Sequence, residues 1–261
     1  MYQTFTPKPA TRMGTATVWA RSGDQQTAAG RVAGLSVRSR IAPHRFGHRW
    51  LASAGVESPT KVIYLVRPTS QTTREHAQDR LLRIAAGAVP HALAIEAVEP
   101  ATAGGGLWIV CPYTGSADGL LTLGRLLADK HEGRMELDEA RRAAGQLLTA
   151  LDGSHMRRVP HGAIVMDDVL VDRHGSVQIE LLGVGAALSG IETLDVKGEV
   201  RSVVKCVFEM ITGVQATGPS SVLRAPGLTR PWRAWLSKGL RFEGGFESAA
   251  RALATLPSAW K

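Results

Sequence analysis

Few side chains in this 261-residue sequence are of a kind that does chemistry, and fewer stand where they could cooperate. Asp168 is the most suggestive. It sits in the stretch Val159–Val184, where His161-Gly162 precedes two short apolar runs, Val169–Val171 and Val177–Ile179, around Asp172-Arg173-His174-Gly175. A carboxylate could hold a divalent cation, but magnesium is usually held by one or two carboxylates together with substrate phosphates. Alone, Asp168 is a weak site, and it reads first as a solvated or capping acid. His44 and His48 have no cysteine or carboxylate cluster around them, so no metal site is expected. Cys111 and Cys206, the only cysteines, lie in apolar strand and helix patterns and read as buried free thiols. Gly104-Gly105-Gly106 could approach a phosphate, but between two strand-like runs it reads as a hairpin turn.

Composition narrows the classes further. A hydrophobic share of 44% and a charged share of 21% are those of an ordinary globular chain, long enough for one large domain or two small lobes. No apolar run approaches the roughly 18 residues that a membrane span requires. Met1-Tyr2-Gln3-Thr4-Phe5 lacks the basic start and apolar block of a signal peptide, so a cytoplasmic protein is expected. The richness in Ala, Arg and Gly suits a bacterial origin. The net charge is +8, and residues 1–67 carry the excess, opposed there only by Asp24 and Glu57. Arg38, Arg40, Arg45 and Arg49 form the candidate basic surface, able to attract an acidic protein, anionic lipid or nucleic acid, or simply to be solvated. Trp19, Phe46 and Trp50 read as core residues rather than base-stacking platforms, and no nucleic-acid motif is legible.

The elements that must position these residues follow from periodicity. Residues 1–12 read as a loose arm and Thr15–Arg21 as a strand, with Ser22-Gly23-Asp24 a turn. Arg31–Arg38 is a second strand, and residues 39–58 read as irregular. Lys61–Arg67 is a strong strand ending at Pro68. Residues 73–88 predict a helix that buries Leu81, Leu82, Ile84, Ala85 and Ala88. Leu93–Val98 and Leu107–Cys111 predict two more strands. Leu120–Lys130 suggests a short helix. Leu137–Arg157 is the clearest helix, acidic in its first turn and basic at its end, as the helix dipole prefers. Glu199–Gly213 predicts another helix, capped by Gly213. Trp235–Leu256 would be the last helices.

This order of elements, with its motifs, resembles the protein kinase fold. The family's catalytic stretch reads H-R-D-x-x-x-x-N, then two strands, then D-F-G. His161 falls on the family's His and Gly183 on the Gly of D-F-G. Ala163 stands where the base Asp would be, Asp168 where the Asn would be, and Leu181 where the metal-holding Asp would be. Lys61–Arg67 resembles the third strand, with Tyr64 at the Lys position; a neighbouring register would offer Arg67, a poor stand-in for an ammonium. Asp79 falls near the helix Glu. Trp108–Tyr113 resembles the hinge between lobes. Glu199–Gly213 resembles the central helix D-V-x-S-x-G-x-x-x-Y-E-x-x-T-G, with Glu199 for the usual Asp. The glycine-rich phosphate loop, expected between Thr15–Arg21 and Arg31–Arg38, is not found. The segment between Gly183 and Glu199 is shorter than an activation segment and lacks A-P-E, and Gly245 replaces the Arg that pairs with the A-P-E Glu.

The resemblance implies a bilobal α+β fold, with a β-rich N-lobe over residues 1–112 and a shortened helical C-lobe over residues 113–261. It also implies a degenerate member of that superfamily. In such an enzyme catalysis is positioning plus charge stabilisation. A methyl group at Ala163 takes no proton, and Leu181 offers a metal nothing. The expectation is a catalytically inactive pseudokinase with no cofactor and no metal, acting as a protein-binding scaffold or regulatory module. The alternatives are an atypical nucleotide-binding transferase and a basic N-lobe that binds nucleic acid.

Overall fold

The structure, a computed structural model, describes residues 31–55, 60–102, 104–115 and 119–258. The arm, the strand and the turn expected within residues 1–24 lie outside them.

The upper lobe is an antiparallel sheet of β1 (Arg31–Val32), β2 (Leu35–His44), β3 (Gly47–Ser53), β4 (Lys61–Val66), β5 (Ala97–Pro100) and β6 (Leu107–Pro112), in the order β1-β2-β3-β4-β6-β5. Alternation along β4 explains its central place. Val62, Tyr64 and Val66 face one side, opposite Cys111, Ile109 and Leu107. Ile63 faces the other, in a second cluster with Trp50, Ala52 and Val110. A β-branched strand apolar on both faces belongs in the middle of a sheet. The triple glycine does form the turn between β5 and β6, with Gly104 and Gly105 at φ 74° and 66°.

The helix α1 (Arg74–Ala85) lies against this sheet. The Thr73 side chain caps it, accepting from the His76 N–H. Its buried residues are Ala77 and Leu81, with Ile84 and Ala85 half-buried. Leu82, expected inside, is 47% exposed, and Ala88 is exposed too. The stripe at 77, 81, 84 and 85 is the i, i+4, i+7, i+8 face, and Leu82 lies about 100° away from Leu81 around the helix.

Of residues 39–58, expected irregular, the described part, 39–55, is largely strand. β2 runs on to His44 and β3 begins at Gly47. Register shifts between Val37 and Ser39 and between Ile41 and His44 break the two-residue period that a strand reading depends on. The single strand expected at Arg31–Arg38 is split by a two-residue turn, Ala33 at φ 51° and Gly34 at φ 76°. The strand expected at Leu93–Val98 starts only at Ala97, because Leu93 turns away to donate its N–H to the Ile179 carbonyl at 2.9 Å.

The lower lobe begins after Tyr113, whose N–H bonds the Thr60 carbonyl at 2.9 Å. Its elements are β7 (Leu121–Thr122), α2 (Leu123–Asp129), α3 (Leu137–Met156), β8 (Val169–Val171), β9 (Val177–Ile179), α4 (Val184–Ser189), α5 (Val196–Thr212), α6 (Pro219–Arg224), α7 (Arg230–Gly239) and α8 (Ala249–Ala254). Glu136 and Glu139 form a capping box at the start of α3. Its stripe Ala140, Ala144, Leu147, Leu148 and Leu151 packs into one core with α5, α7 and α8. The helix α5 ends at Gly213, which adopts φ 72° and returns its N–H to the Glu209 carbonyl. Among the described residues, no helix is long and apolar enough to cross a membrane.

A second apolar cluster does not stop at the lobe boundary. Val62, Tyr64, Leu81 and Ile109 above share it with Leu170, Leu181, Val184 and Leu188 below. The chain has a kinase-like bilobal fold.

Candidate functional site

The cleft between the lobes is bounded above by β3, β4 and the turn that joins β2 to β3. Below it lie the His161 loop, β8 and the residues after β9. Position in the sheet identifies the β2–β3 hairpin with the first two strands of the kinase pattern, since it pairs directly with β4. The place of the phosphate loop is therefore taken by Pro43-His44-Arg45-Phe46-Gly47, beyond the interval between Arg21 and Arg31 in which the sequence places it. This turn has no glycine-rich spacing. Gly47 is required for another reason: a Cβ there would lie 2.0 Å from the Leu65 carbonyl oxygen.

Two buried carboxylates face each other across the cleft floor. Glu180, wholly buried, accepts on both oxygens from one guanidinium nitrogen: Arg49 Nη1 lies 2.8 Å from Oε1 and 2.9 Å from Oε2. It also accepts from the Tyr64 hydroxyl at 2.6 Å. Asp168, 1% exposed, accepts from Arg45 Nη2 at 2.8 Å and from the Val165 N–H at 3.0 Å. His44 Nε2 sits between the two acids, 3.3 Å from Asp168 Oδ1 and 3.8 Å from Glu180 Oε2, without a hydrogen bond to either. Its Nδ1 accepts from the Phe46 N–H at 3.3 Å, which assigns the ring proton to Nε2, facing the acids. Arg45 Nη2 reaches on to the Ala163 carbonyl at 3.0 Å, and Arg49 Nε donates to the Ala42 carbonyl at 2.6 Å. Buried acids without such partners would be costly, and these two are fully supplied. Burial, and then the charge of Glu180, hold the Tyr64 phenol well above its ordinary pKa.

Several expectations are corrected here. Asp168 is not solvated: it does cap locally, through Val165, but it is buried and ion-paired. The four arginines do not form one surface. Arg38 and Arg40 point outward, donating to Ser53 Oγ and Gly55 O and pairing with His48 respectively, whereas Arg45 and Arg49 turn into the cleft. Asp79 does not enter the cleft: it is exposed on α1 and pairs with Arg83 one turn on. Tyr64, not the exposed Arg67, is the β4 residue that reaches the centre, and the acid it meets comes from Glu180 rather than from the helix.

The loop beneath is braced from α5. Glu199, 2% exposed, accepts the N–H groups of His161 and Gly162 on Oε1, both at 2.8 Å, and His155 Nε2 lies 2.9 Å from Oε2. Ser202 Oγ accepts the Ile164 N–H at 2.9 Å. His161 Nδ1 accepts the Gly183 N–H at 3.1 Å, joining the loop to the segment after β9. Burial pushes the imidazole down to about 4, outweighing the attraction of Asp168 for its proton. Leu181 is wholly buried at φ 52°, packed in the apolar cluster that crosses the lobes. Gly183 follows at φ 78°, where a Cβ would meet Val159 Cγ1 at 2.5 Å. Ala163 offers the cleft only its carbonyl.

Magnesium nucleotide does not fit these residues. Formally, two guanidinium groups balance two carboxylates, so neither a divalent cation nor a triphosphate finds an unpaired complement. Leu181, at the position the kinase resemblance gives to a metal-holding carboxylate, offers no oxygen. Sequence reasoning missed Glu180, His44 and the inward turn of Arg45 and Arg49. A signal existed for one of them: Glu180 is a charged residue inside the apolar run Val177–Leu182, and buried charges come paired.

The fold is protein kinase-like. The chain resembles the PknI kinase domain of Mycobacterium tuberculosis with a TM-score of 0.68 at 17% identity, covering 88% of this chain and 98% of that one. A doubly substituted form of the same domain gives a TM-score of 0.70 at 18% identity over the same shares. A singly substituted form gives 0.68 at 18% identity, covering 88% of this chain and 97% of that one. No family model matches the sequence, and no curated protein matches it. At such identities the likeness speaks for the fold.

Proposed function

We propose that this protein is a pseudokinase: a cytoplasmic bacterial protein of kinase fold that transfers no phosphate and works by holding a protein partner. The single observation that carries this reading is the self-neutralised cleft, in which Asp168 and Glu180 are already bound by Arg45, Arg49 and Tyr64. Ala163 and Leu181 agree with it, since the first removes the proton acceptor and the second the metal ligand. General-base help alone is worth roughly 10²–10⁴-fold in rate. The outward Arg38 and Arg40 remain as a basic patch for an acidic partner. With Arg45 and Arg49 withdrawn, the nucleic-acid reading has less of its surface.

The test is γ-phosphate transfer with ATP and Mg²⁺ or Mn²⁺, on protein and peptide acceptors and on the chain itself. The expected result is no transfer above background and no thermal stabilisation by ATP with or without metal. Turnover that Asp168→Asn abolishes would show an enzyme instead. Stabilisation by ATP without transfer would favour the atypical nucleotide-binding transferase.

A further inference from the structure

We infer that the β2–β3 turn, residues 42–47, is an intramolecular clasp: it occupies the phosphate end of the cleft and holds the lobes closed with no ligand present. The inference rests on the reading of the cleft given above and adds what fills it and what that does.

Three consecutive residues of the upper lobe each find a partner in the lower one, more than a hundred positions away in sequence. His44 faces Asp168 and Glu180 at 3.3 and 3.8 Å. Arg45 bonds Asp168 Oδ2 at 2.8 Å and the Ala163 carbonyl at 3.0 Å. Phe46 lies on Gly185 of α4, so closely that a Cβ there would stand 2.5 Å from its ring. The guanidinium of Arg45 covers the same ring, 4.6 Å from its centroid. A flexible phosphate loop would have no need of these contacts. The turn is also aimed: the register shift between Ile41 and His44 re-directs the side chains at the end of β2. Arg49 and Tyr64 fix Glu180 from behind, so the lower jaw of the clasp is itself rigid.

The burial gradient shows which contact is the latch. The side chains of His44 and Asp168 are 2% and 1% exposed, but that of Arg45 is 36% exposed. Arg45 is thus the clasp cation that solvent, or an anionic group on a partner, can reach. Opening it would uncover Asp168 and the Phe46–Gly185 contact together. The clasp acts where nucleotide and metal act in an active kinase, joining the lobes through charge, but with groups of the chain itself.

The experiment is a double-mutant cycle on the full chain with Arg45→Met, Asp168→Asn and both. Thermal unfolding and hydrogen exchange are read at residues 42–47 and 184–189. Arg45→Met keeps the side-chain stem at a rim position, so the variant is expected to fold. Each single change should lower Tm by about 4–8 °C, and the pair should lower it no further than the larger single. Arg45→Met should raise exchange in both segments. Gly185→Ala, which leaves every charge in place, should raise it at residues 42–47 by lifting Phe46. Additive losses, or unchanged exchange in both variants, would overturn the clasp. Adding ATP·Mg²⁺ to the wild type separates the two conclusions. A thermal shift there defeats the pseudokinase reading while the cycle still judges the clasp. Absent coupling without any shift defeats the clasp alone.

Discussion

Glu199 shows how one carboxylate can organise a loop. It accepts two backbone N–H groups and pairs with the His155 imidazole from a position on α5 that is 2% exposed. Glu199→Ala should cost about 3–5 kcal/mol in urea unfolding, because it leaves the buried His161 N–H, the part-buried Gly162 N–H and the His155 ring unmatched, while Glu199→Gln should cost less. His161 gives a second prediction at this scale. Its folded pKa of about 4 lies below the ordinary 6.5, so between those values the unfolded chain binds the extra proton. Stability should therefore fall as pH is lowered from 6.5 towards 4, by up to about 3 kcal/mol from this group. The groups facing it are Asp168, Arg45, Glu199 and His44. His161→Asn should flatten the dependence of the urea midpoint over that range, and an unchanged slope would assign it to other groups. Ala163→Asp, tested in the phosphotransfer assay, should restore no activity, because Arg45 still holds Asp168 and Leu181 still offers no oxygen.

Among the elements, α1 was legible as a helix but not in its orientation. The residues Leu81, Leu82, Ile84 and Ala85 are all apolar, and only the sheet beneath decides which of the adjacent leucines goes in. Leu81→Ala should cost about 2–5 kcal/mol and Leu82→Ala about 0.5 kcal/mol or less, read as urea midpoints at constant slope. Equal losses would mean that the helix is rotated. The part of β2 beyond Arg38 and all of β3 were not legible because Ser39, Arg40 and Pro43 look like loop residues and the bulges spoil the alternation. Arg49 looked like surface because a lone charge is normally exposed, and its partner Glu180 lies 131 positions away. By contrast α3 and the β8–β9 hairpin were legible, since caps, stripe and turn residues are all local, and α5 was legible except for its first turn, which begins at Val196 under the Asp195 cap.

The molecule as a whole is two lobes that share apolar packing. Because Leu170, Leu181, Val184 and Leu188 belong to the same cluster as Val62, Tyr64 and Leu81, the lobes should not unfold separately. Tryptophan fluorescence samples Trp50 and Trp108 above and Trp232 and Trp235 below, while circular dichroism follows mainly the lower helices. Their urea transitions should coincide. Distinct midpoints would show that the interlobe contacts contribute little.

By itself the sequence determined most of the strands and helices from β4 onward, with β7, α4 and α6 excepted, and the residue types at Ala163 and Leu181. Those properties depend on residue type and short-range spacing. The tertiary structure alone decided that Arg45, Arg49, His44, Tyr64, Asp168 and Glu180 meet. Charges so far apart along the chain attract or repel only after folding has removed the water between them, and periodicity carries no trace of that meeting.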